Sequence, residues 1–147
     1  MFRRIAEKIW WMMPYYFRIR TVRALQPKFT ASVVGIITNE KGEILILDHY
    51  FRPKFCWGLP GGFLEANEAP ESGIRREIKE ETDLDLHDLI LLRIRSTGSH
   101  LEIIFRARGS GEAKVNSTEI RDFGWFHPDR LPEMSKTQID FLNEFLD

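Results

Sequence analysis

The chain has 147 residues and a formal net charge of −1; 43% of the residues are hydrophobic and 29% are charged. These values are typical of one globular domain and exclude a disordered or fibrous chain. The single cysteine, Cys56, excludes an intramolecular disulfide and a cysteine-rich metal site, so a reducing, cytoplasmic location is the simplest interpretation.

The first 28 residues differ in charge from the rest of the chain. Seven basic residues stand against Glu7 alone, a net charge of +6, so the remaining 119 residues carry −7. Apolar residues at helical spacing predict an amphipathic helix over residues 2–13, ended by Pro14, and then a basic connector over 15–28. We expect no exported leader, because a cleavage site is missing, and no transmembrane segment, because no stretch approaches about 20 apolar residues.

Residues 29–147 are predicted to form a single domain of strands mixed with helices. Turns containing glycine are predicted at 39–42, 98–99 and 109–111. Helices are predicted from Pro70, with Ala69 as a poor N-cap, and from about Lys136. Rich β-branched content predicts strands over 30–38, 43–48, 89–97, 101–108 and 120–126, with a further short strand at the end of 51–59. The result is an α/β or α+β sandwich with two or three helices.

Three glutamates lie within five positions of the helix that follows Gly61 and Gly62. Successive helical residues are rotated by 100°, so Glu80 and Glu81 fall within about 60° of Glu77 and the three carboxylates can converge. A solvated acidic face is one interpretation. The other is a site for a hard cation such as Mg²⁺, which binds carboxylate oxygens and bridges to phosphates. The glycines favour the second, because they let the backbone approach a ligand closely.

Residues 62–84 resemble the Nudix box, the signature of the Nudix hydrolases. The box reads Gly, five residues, Glu, seven residues, Arg-Glu, an aliphatic residue, any residue, Glu-Glu, any residue, Gly and an aliphatic residue. The chain has Gly62, five residues, Glu68, seven residues, then Arg76-Glu77-Ile78-Lys79-Glu80-Glu81-Thr82-Asp83-Leu84. Only Asp83 departs from it, at a helix end where aspartate tolerates a left-handed backbone. The resemblance covers about residues 30–146 and implies the Nudix fold, a mixed β-sheet flanked by helices.

The resemblance implies a pyrophosphohydrolase that cleaves the diphosphate linkage of a nucleoside diphosphate joined to another moiety, as in nucleoside triphosphates or nucleotide sugars. Glu77, Glu80 and Glu81 are then ligands of Mg²⁺ or Mn²⁺. Arg76 holds the glutamates in place, and a carbonyl of Gly61 or Gly62 completes a coordination sphere. The general base is left open between Glu77, Glu80 and an acid on a later loop, such as Glu119.

The aromatic residues Trp57 and Phe63 flank the glycines, where they either stack on a nucleobase or pack in the core. Arg52 either receives a phosphate or is a solubilising surface residue. His100 is interpreted as an exposed or hydrogen-bonded strand residue, and Glu102 as facing away from its apolar neighbours on the strand. His49, His87 and His127 show no metal-ligand spacing, and no role is assigned to them.

The alternative function is a Nudix-fold module that senses a nucleotide without turnover, and the presence of every box glutamate favours the enzyme over it. The partner is a small nucleotide substrate, with no stable nucleic-acid complex. For the basic segment 1–28 we expect docking on the chain's own domain or a homodimer contact rather than lipid binding.

Overall fold

The computed structural model describes residues 2–52 and 54–145. In this part of the chain no helix is long and apolar enough to cross a membrane. The elements in chain order are α1 (Phe2–Met12), α2 (Tyr15–Leu25), β1 (Thr30–Thr38), β2 (Ile44–His49), β3 (Trp57–Gly58), β4 (Gly61–Phe63), α3 (Pro70–Thr82), β5 (Asp85–Thr97), β6 (His100–Ser110), β7 (Ile120–Phe126), a 3₁₀ turn (Pro128–Arg130) and α4 (Lys136–Phe145).

Among the described residues, seven strands form one mixed sheet with helices packed against it, which confirms the predicted fold class. β1 pairs in parallel with β6 and antiparallel with β4, whereas β2 pairs with β3 and β7. β1 and β2 pair with each other only beside their connecting turn, at Thr38 and Ile44. Beyond that point each strand takes different neighbours, so the two strands separate towards the opposite end of the sheet.

The core lies on both faces of this sheet. One cluster of buried side chains includes Leu45 and Leu47 of β2 and packs against Ile74 and Ile78 of α3. The other includes Ile46 of β2 and packs against α4. Because every residue of β2 is buried, the strand is held from both sides, and the position of its last residue is fixed by packing.

The N-terminal segment departs from the prediction in two ways. Residues 15–28, predicted to be a connector, form α2 as far as Leu25. Pro14 ends α1 but also begins α2, since its carbonyl accepts hydrogen bonds from the backbone N–H groups of Phe17 and Arg18. The expected docking on the chain's own domain does not cover the apolar surface of these helices. Apolar side chains of both helices are exposed, among them Ile5, Ile9, Trp11, Met12, Tyr15 and Leu25.

One strand was not predicted, and the start of β5 and the end of β6 were also wrong. β4 was not predicted, because a three-residue strand with two glycines has no readable alternation. β5 begins at Asp85, before its predicted start, and residues Gly109 and Ser110, predicted to be a turn, belong to β6. The errors in β5 and β6 have one cause, because Asp85 pairs with Ser110 and Leu86 pairs with Gly109. Pairing partners distant in sequence therefore overrode the local turn signal.

The ends of α3 follow the sequence prediction. Ala69 is the N-cap and makes no side-chain capping bond, and Pro70 is the first helical residue. At the other end, Asp83 adopts the left-handed conformation with φ 59°, as expected for the position where the Nudix box has glycine. Its carboxylate pairs with Lys79 at 3.0 Å and with Lys114 at 2.8 Å. Exposed ion pairs of this kind contribute little to stability. The strain of the left-handed backbone should therefore be the main effect of Asp83 on the free energy of unfolding.

This strain gives a test that uses two variants lacking the carboxylate. Asp83→Gly should be more stable than Asp83→Ala by about 1 kcal/mol, because only alanine keeps a Cβ in the left-handed region. Urea denaturation of the two proteins measures the difference directly, and the lost ion pairs cancel. Equal midpoints would contradict a left-handed backbone at Asp83 in solution.

Candidate active site

A cleft of about 550 Å³ lies where β1 and β2 have separated. β4 and α3 form one wall, and the end of β2 with the loop before β7 forms the other. Glu77, Glu80 and Glu81 were expected from helical geometry to converge, and all three line this cleft. The residues that line it are His49, Phe51, Arg52, Gly61, Gly62, Phe63, Glu65, Arg76, Glu77, Glu80, Glu81, Ser117 and Glu119.

Arg76 connects the glutamates to the loop that precedes α3. Its Nε and Nη2 donate to the two carboxylate oxygens of Glu68 at 2.8 and 2.9 Å. Its Nη1 donates to Glu77 at 2.9 Å and to Glu80 at 3.2 Å, and Nη2 also reaches the Phe63 carbonyl at 3.2 Å. The hydrogen bonds from Arg76 are the main reason that the pKa of Glu68 falls to about 2. One guanidinium therefore fixes strand, loop and helix together.

Glu81 is the most enclosed of the box glutamates, with only 7% of its surface exposed. Its Oε2 accepts a hydrogen bond of 3.2 Å from the backbone N–H of Gly61, which points the carboxylate at the glycine strand. Burial, and then the charge of Glu77, raises the pKa of Glu81 to about 8. The Gly61 N–H and the Arg52 cation oppose this shift without cancelling it. The site therefore contains a carboxyl group whose ionised form needs a nearby cation.

Glu77 lies against the backbone of β4, and Gly62 makes that approach possible. A Cβ at Gly62 would collide with the carboxylate of Glu77, so a larger residue at this position would displace that carboxylate from the strand. Burial raises the pKa of Glu77 in spite of its bond to Arg76. Glu80 is more open, with 59% of its side chain exposed.

The donor set fits a hard divalent cation, because it consists of carboxylate oxygens and nearby backbone carbonyls. As the side chains lie, no three acidic, histidine or cysteine residues of the described part stand close enough to enclose an ion. Glu77 and Glu80 are instead bonded to Arg76. A bound cation would therefore replace Arg76 in neutralising part of the negative charge on Glu77 and Glu80.

The other predicted residues lie in different places. Glu119 and Phe63 line the cleft. Trp57 does not: it packs edge-on against Phe126, with ring centroids 5.4 Å apart, and belongs to the cluster under α4. Of the two roles predicted for Trp57, stacking on a nucleobase or packing in the core, its contacts favour packing.

The two β6 residues behave as predicted. His100 is hydrogen-bonded to Thr30 at 2.7 Å and to Ser32 at 2.9 Å, and its ring packs edge-on against Phe63. Glu102 pairs with Arg95 at 2.5 Å, away from the face to which Ile103 contributes.

Two residues to which sequence reasoning gave no definite role also line the cleft. Arg52 lies over Gly58, where a Cβ would collide with its guanidinium. Within the described part of the chain, its guanidinium donates one hydrogen bond, of 3.4 Å to the Leu59 carbonyl, and makes no salt bridge. His49 ends β2 and is 8% exposed. Neither belongs to a spaced motif, so the only available signal was their position just after a buried strand.

Comparison with known proteins agrees with this architecture. The family model for the NUDIX domain matches residues 28–145. A MutT-like protein from Streptomyces ambofaciens is 32% identical over 109 residues, covering 73% of this chain and 70% of the relative. An ADP-ribose pyrophosphatase from Methanocaldococcus jannaschii is 29% identical over 122 residues, covering 78% and 72%. The crystal structure of a MutT NUDIX hydrolase from Burkholderia pseudomallei superimposes with a TM-score of 0.71 at 26% identity, covering 80% of this chain and 98% of that one.

The chain belongs to the NUDIX family of hydrolases. The family predicted from residues 62–84 is thus confirmed, and with it the prediction that the chain is an enzyme of this class.

The raised pKa of Glu81 predicts a stability difference that depends on pH in the metal-free protein. Unfolded Glu81 ionises near pH 4.5, while the folded group stays protonated up to about pH 8. The folded state therefore binds the extra proton in this window, and its free energy of unfolding falls as pH rises from about 4.5 to 8. Glu81→Gln lacks this proton, so it should match the wild type near pH 4.5 and exceed it by about 4 kcal/mol near pH 8.

Urea denaturation in the presence of a chelator, repeated from pH 4.5 to 8.5, measures this difference. Glu71→Gln is the matched control, because Glu71 is an exposed residue in the first turn of the same helix. Its stability should follow the wild type at every pH. Parallel curves for Glu81→Gln and the wild type would show that the Glu81 carboxyl is not perturbed.

Proposed function

We propose that this protein is a metal-dependent hydrolase that cleaves the diphosphate linkage of a nucleoside diphosphate joined to a second group, of the nucleoside triphosphate or nucleotide sugar type. The observation that carries the proposal is the cleft in which Glu77, Glu80 and Glu81 meet the glycines of β4. In a solvated acidic face every glutamate would be exposed, whereas Glu81 is buried. Burying a carboxyl group costs free energy, so its position needs another explanation.

The proposed cation is Mg²⁺ or Mn²⁺. Glu81 and Glu77 are its principal ligands, Glu80 contributes from the exposed rim, and a carbonyl of Gly61 or Gly62 completes the set. When bound, the cation neutralises diphosphate oxygens and lowers the pKa of a water molecule. Arg76 keeps the carboxylates in register, because its bonds to Glu68 and the Phe63 carbonyl remain when Glu77 and Glu80 turn to the ion.

The remaining chemistry is assigned to groups around the cleft. Arg52 supplies a cation without a salt-bridge partner in the described residues, which suits a phosphate group. Phe63 is 66% exposed and is positioned to stack on a nucleobase. The proton acceptor is Glu80 or Glu119, since both line the cleft and remain open to solvent, whereas Glu77 is held against Gly62.

A substrate panel tests this proposal. It contains nucleoside triphosphates, nucleotide sugars and ADP-ribose, which the name of one relative suggests. With Mg²⁺ or Mn²⁺, the wild type should hydrolyse at least one class at the diphosphate, as shown by product masses. Glu81→Gln and Glu77→Gln should lower turnover by about a hundredfold or more, because each removes a charged ligand. Glu71→Gln should leave turnover unchanged.

Two results would contradict the proposal. Equal hydrolysis with and without a chelator would show that the reaction needs no metal ion. Tight nucleotide binding by the wild type with no turnover of any substrate would support the sensing module instead.

We also propose that residues 1–28 are an extension, separate from the catalytic domain 29–147, through which two copies of the chain form a homodimer. The apolar side chains of α1 and α2 are exposed, and Trp11 and Tyr15 hold Arg18 between them by cation–π contacts at 5.1 and 6.0 Å. A charge of +6 on this segment complements the −7 of the domain of a second copy.

Deleting residues 1–26 should therefore convert a dimer into a monomer, with hydrolysis at the cleft retained. Multi-angle light scattering measures the mass. In the full chain, the double change Ile5→Ser and Ile9→Ser should do the same by removing the apolar stripe of α1, whereas Thr21→Ser is the control. Unchanged mass in every variant, with loss of binding to anionic liposomes, would favour a membrane surface and contradict the dimer.

A further inference from the structure

His49 contains a buried polar atom that makes no hydrogen bond. Three side-chain atoms of the described residues are of this kind: Arg18 Nε, Asp48 Oδ1 and His49 Nε2. Of the three residues, His49 lines the cleft. A buried polar group without a partner costs about 1–3 kcal/mol, so each one in a native structure calls for an explanation.

The backbone holds His49 firmly in place. Its N–H donates to the Cys56 carbonyl at 2.8 Å, and the next residue, Tyr50, donates to the Glu119 carbonyl at 2.9 Å. On β7 the residue opposite is Ile120, and the pairing is irregular here because Arg121 has no residue opposite it. Irregularities of this kind re-aim side chains beside active sites. The backbone of His49 is therefore fixed before any ligand arrives.

Arg52 and Glu81 line the same cleft as His49. The charge of Arg52 acts on both His49 and Glu81, because it lowers the pKa of His49 and opposes the rise in the pKa of Glu81. Burial, and then the Arg52 cation, lowers the pKa of His49 to about 3, so the ring is neutral near pH 7. A neutral N–H beside an arginine can donate to an anion without adding a charge that would repel a metal ion.

We propose that His49 is a substrate-positioning residue: when the side chains that cover its Nε2 move aside, the Nε2–H donates to a non-bridging oxygen of the diphosphate between Arg52 and Glu81. This inference rests on the proposed function, because it takes the diphosphate to lie beside Glu81. The oxygens of a diphosphate only accept hydrogen bonds, so the ring is the tautomer that carries its proton on Nε2. The contact aligns the linkage and leaves the proton acceptor unchanged.

The test separates a structural histidine from one that contacts ligand. His49→Phe preserves the ring volume and removes the buried polar atom, so its melting temperature in chelator should equal or exceed that of the wild type. Methylenediphosphonate is a diphosphate analogue that cannot be hydrolysed. Measured by calorimetry with Mg²⁺ present, the affinity of His49→Phe for this analogue should fall about tenfold. His49→Gln retains an N–H donor and should stay within about threefold of the wild type. His87→Phe is the control, because His87 is exposed on β5 and bonded to Ser110.

Each other result counts against the inference. A His49→Phe protein that melts lower and binds methylenediphosphonate like the wild type would make His49 structural. Unchanged methylenediphosphonate binding with weaker binding of adenosine would place the contact at the nucleoside. If His49→Phe both melts lower and binds weakly, the inference stands only when His49→Gln restores affinity, and it falls otherwise.

The proposed function fails by a different result. A wild-type protein that neither binds methylenediphosphonate nor hydrolyses any member of the substrate panel would overturn that function and this inference together. Hydrolysis by the wild type, with equal affinity in His49→Phe, would overturn the role of His49 alone.

Discussion

The site depends on the hydrogen bonds of one guanidinium. Arg76 lies on α3 and bonds Glu68 in the preceding loop, the Phe63 carbonyl of β4, and two glutamates of its own helix. Because a guanidinium is planar and presents several donors in fixed directions, it sets distances as well as charge. Lysine would supply the same charge at one point, and the loop, strand and helix would lose their common anchor.

The same arrangement of carboxylates lowers the stability of the fold in order to form the site. Glu77 and Glu81 are brought together where burial disfavours their ionised forms, and the pKa of each is raised as a result. Arg76 offsets the charge of Glu77 and Glu80, while Glu81 is bonded only to a backbone N–H of β4 among these contacts. A domain built for stability alone would place an apolar residue at position 81. The carboxylates become favourable when a cation is present, which is why metal binding should stabilise the fold.

The opposite wall of the cleft follows a different principle. It is built at the end of β2, a strand buried on both faces, where the chain leaves the sheet through His49, Tyr50, Phe51 and Arg52. Packing behind the strand holds His49, and Phe51 and Arg52 line the cleft with it. The wall of glutamates suits a cation and the wall of His49 and Arg52 suits an anion, and this pairing supports our proposal that the cleft binds a metal-bound diphosphate.

The sequence by itself determined the family, the box, the convergence of Glu77, Glu80 and Glu81, and the left-handed backbone at Asp83. All of these are set by spacing along one helix, where local geometry fixes which residues meet. It also placed β1 and β7 correctly, since their alternation or apolar content is strong. Only the tertiary structure decided that Trp57 packs under α4, that Gly109 and Ser110 continue β6, and that His49 and Arg52 reach the cleft. Those placements depend on strand pairs far apart in the chain, and no single segment carries the information that specifies its partner.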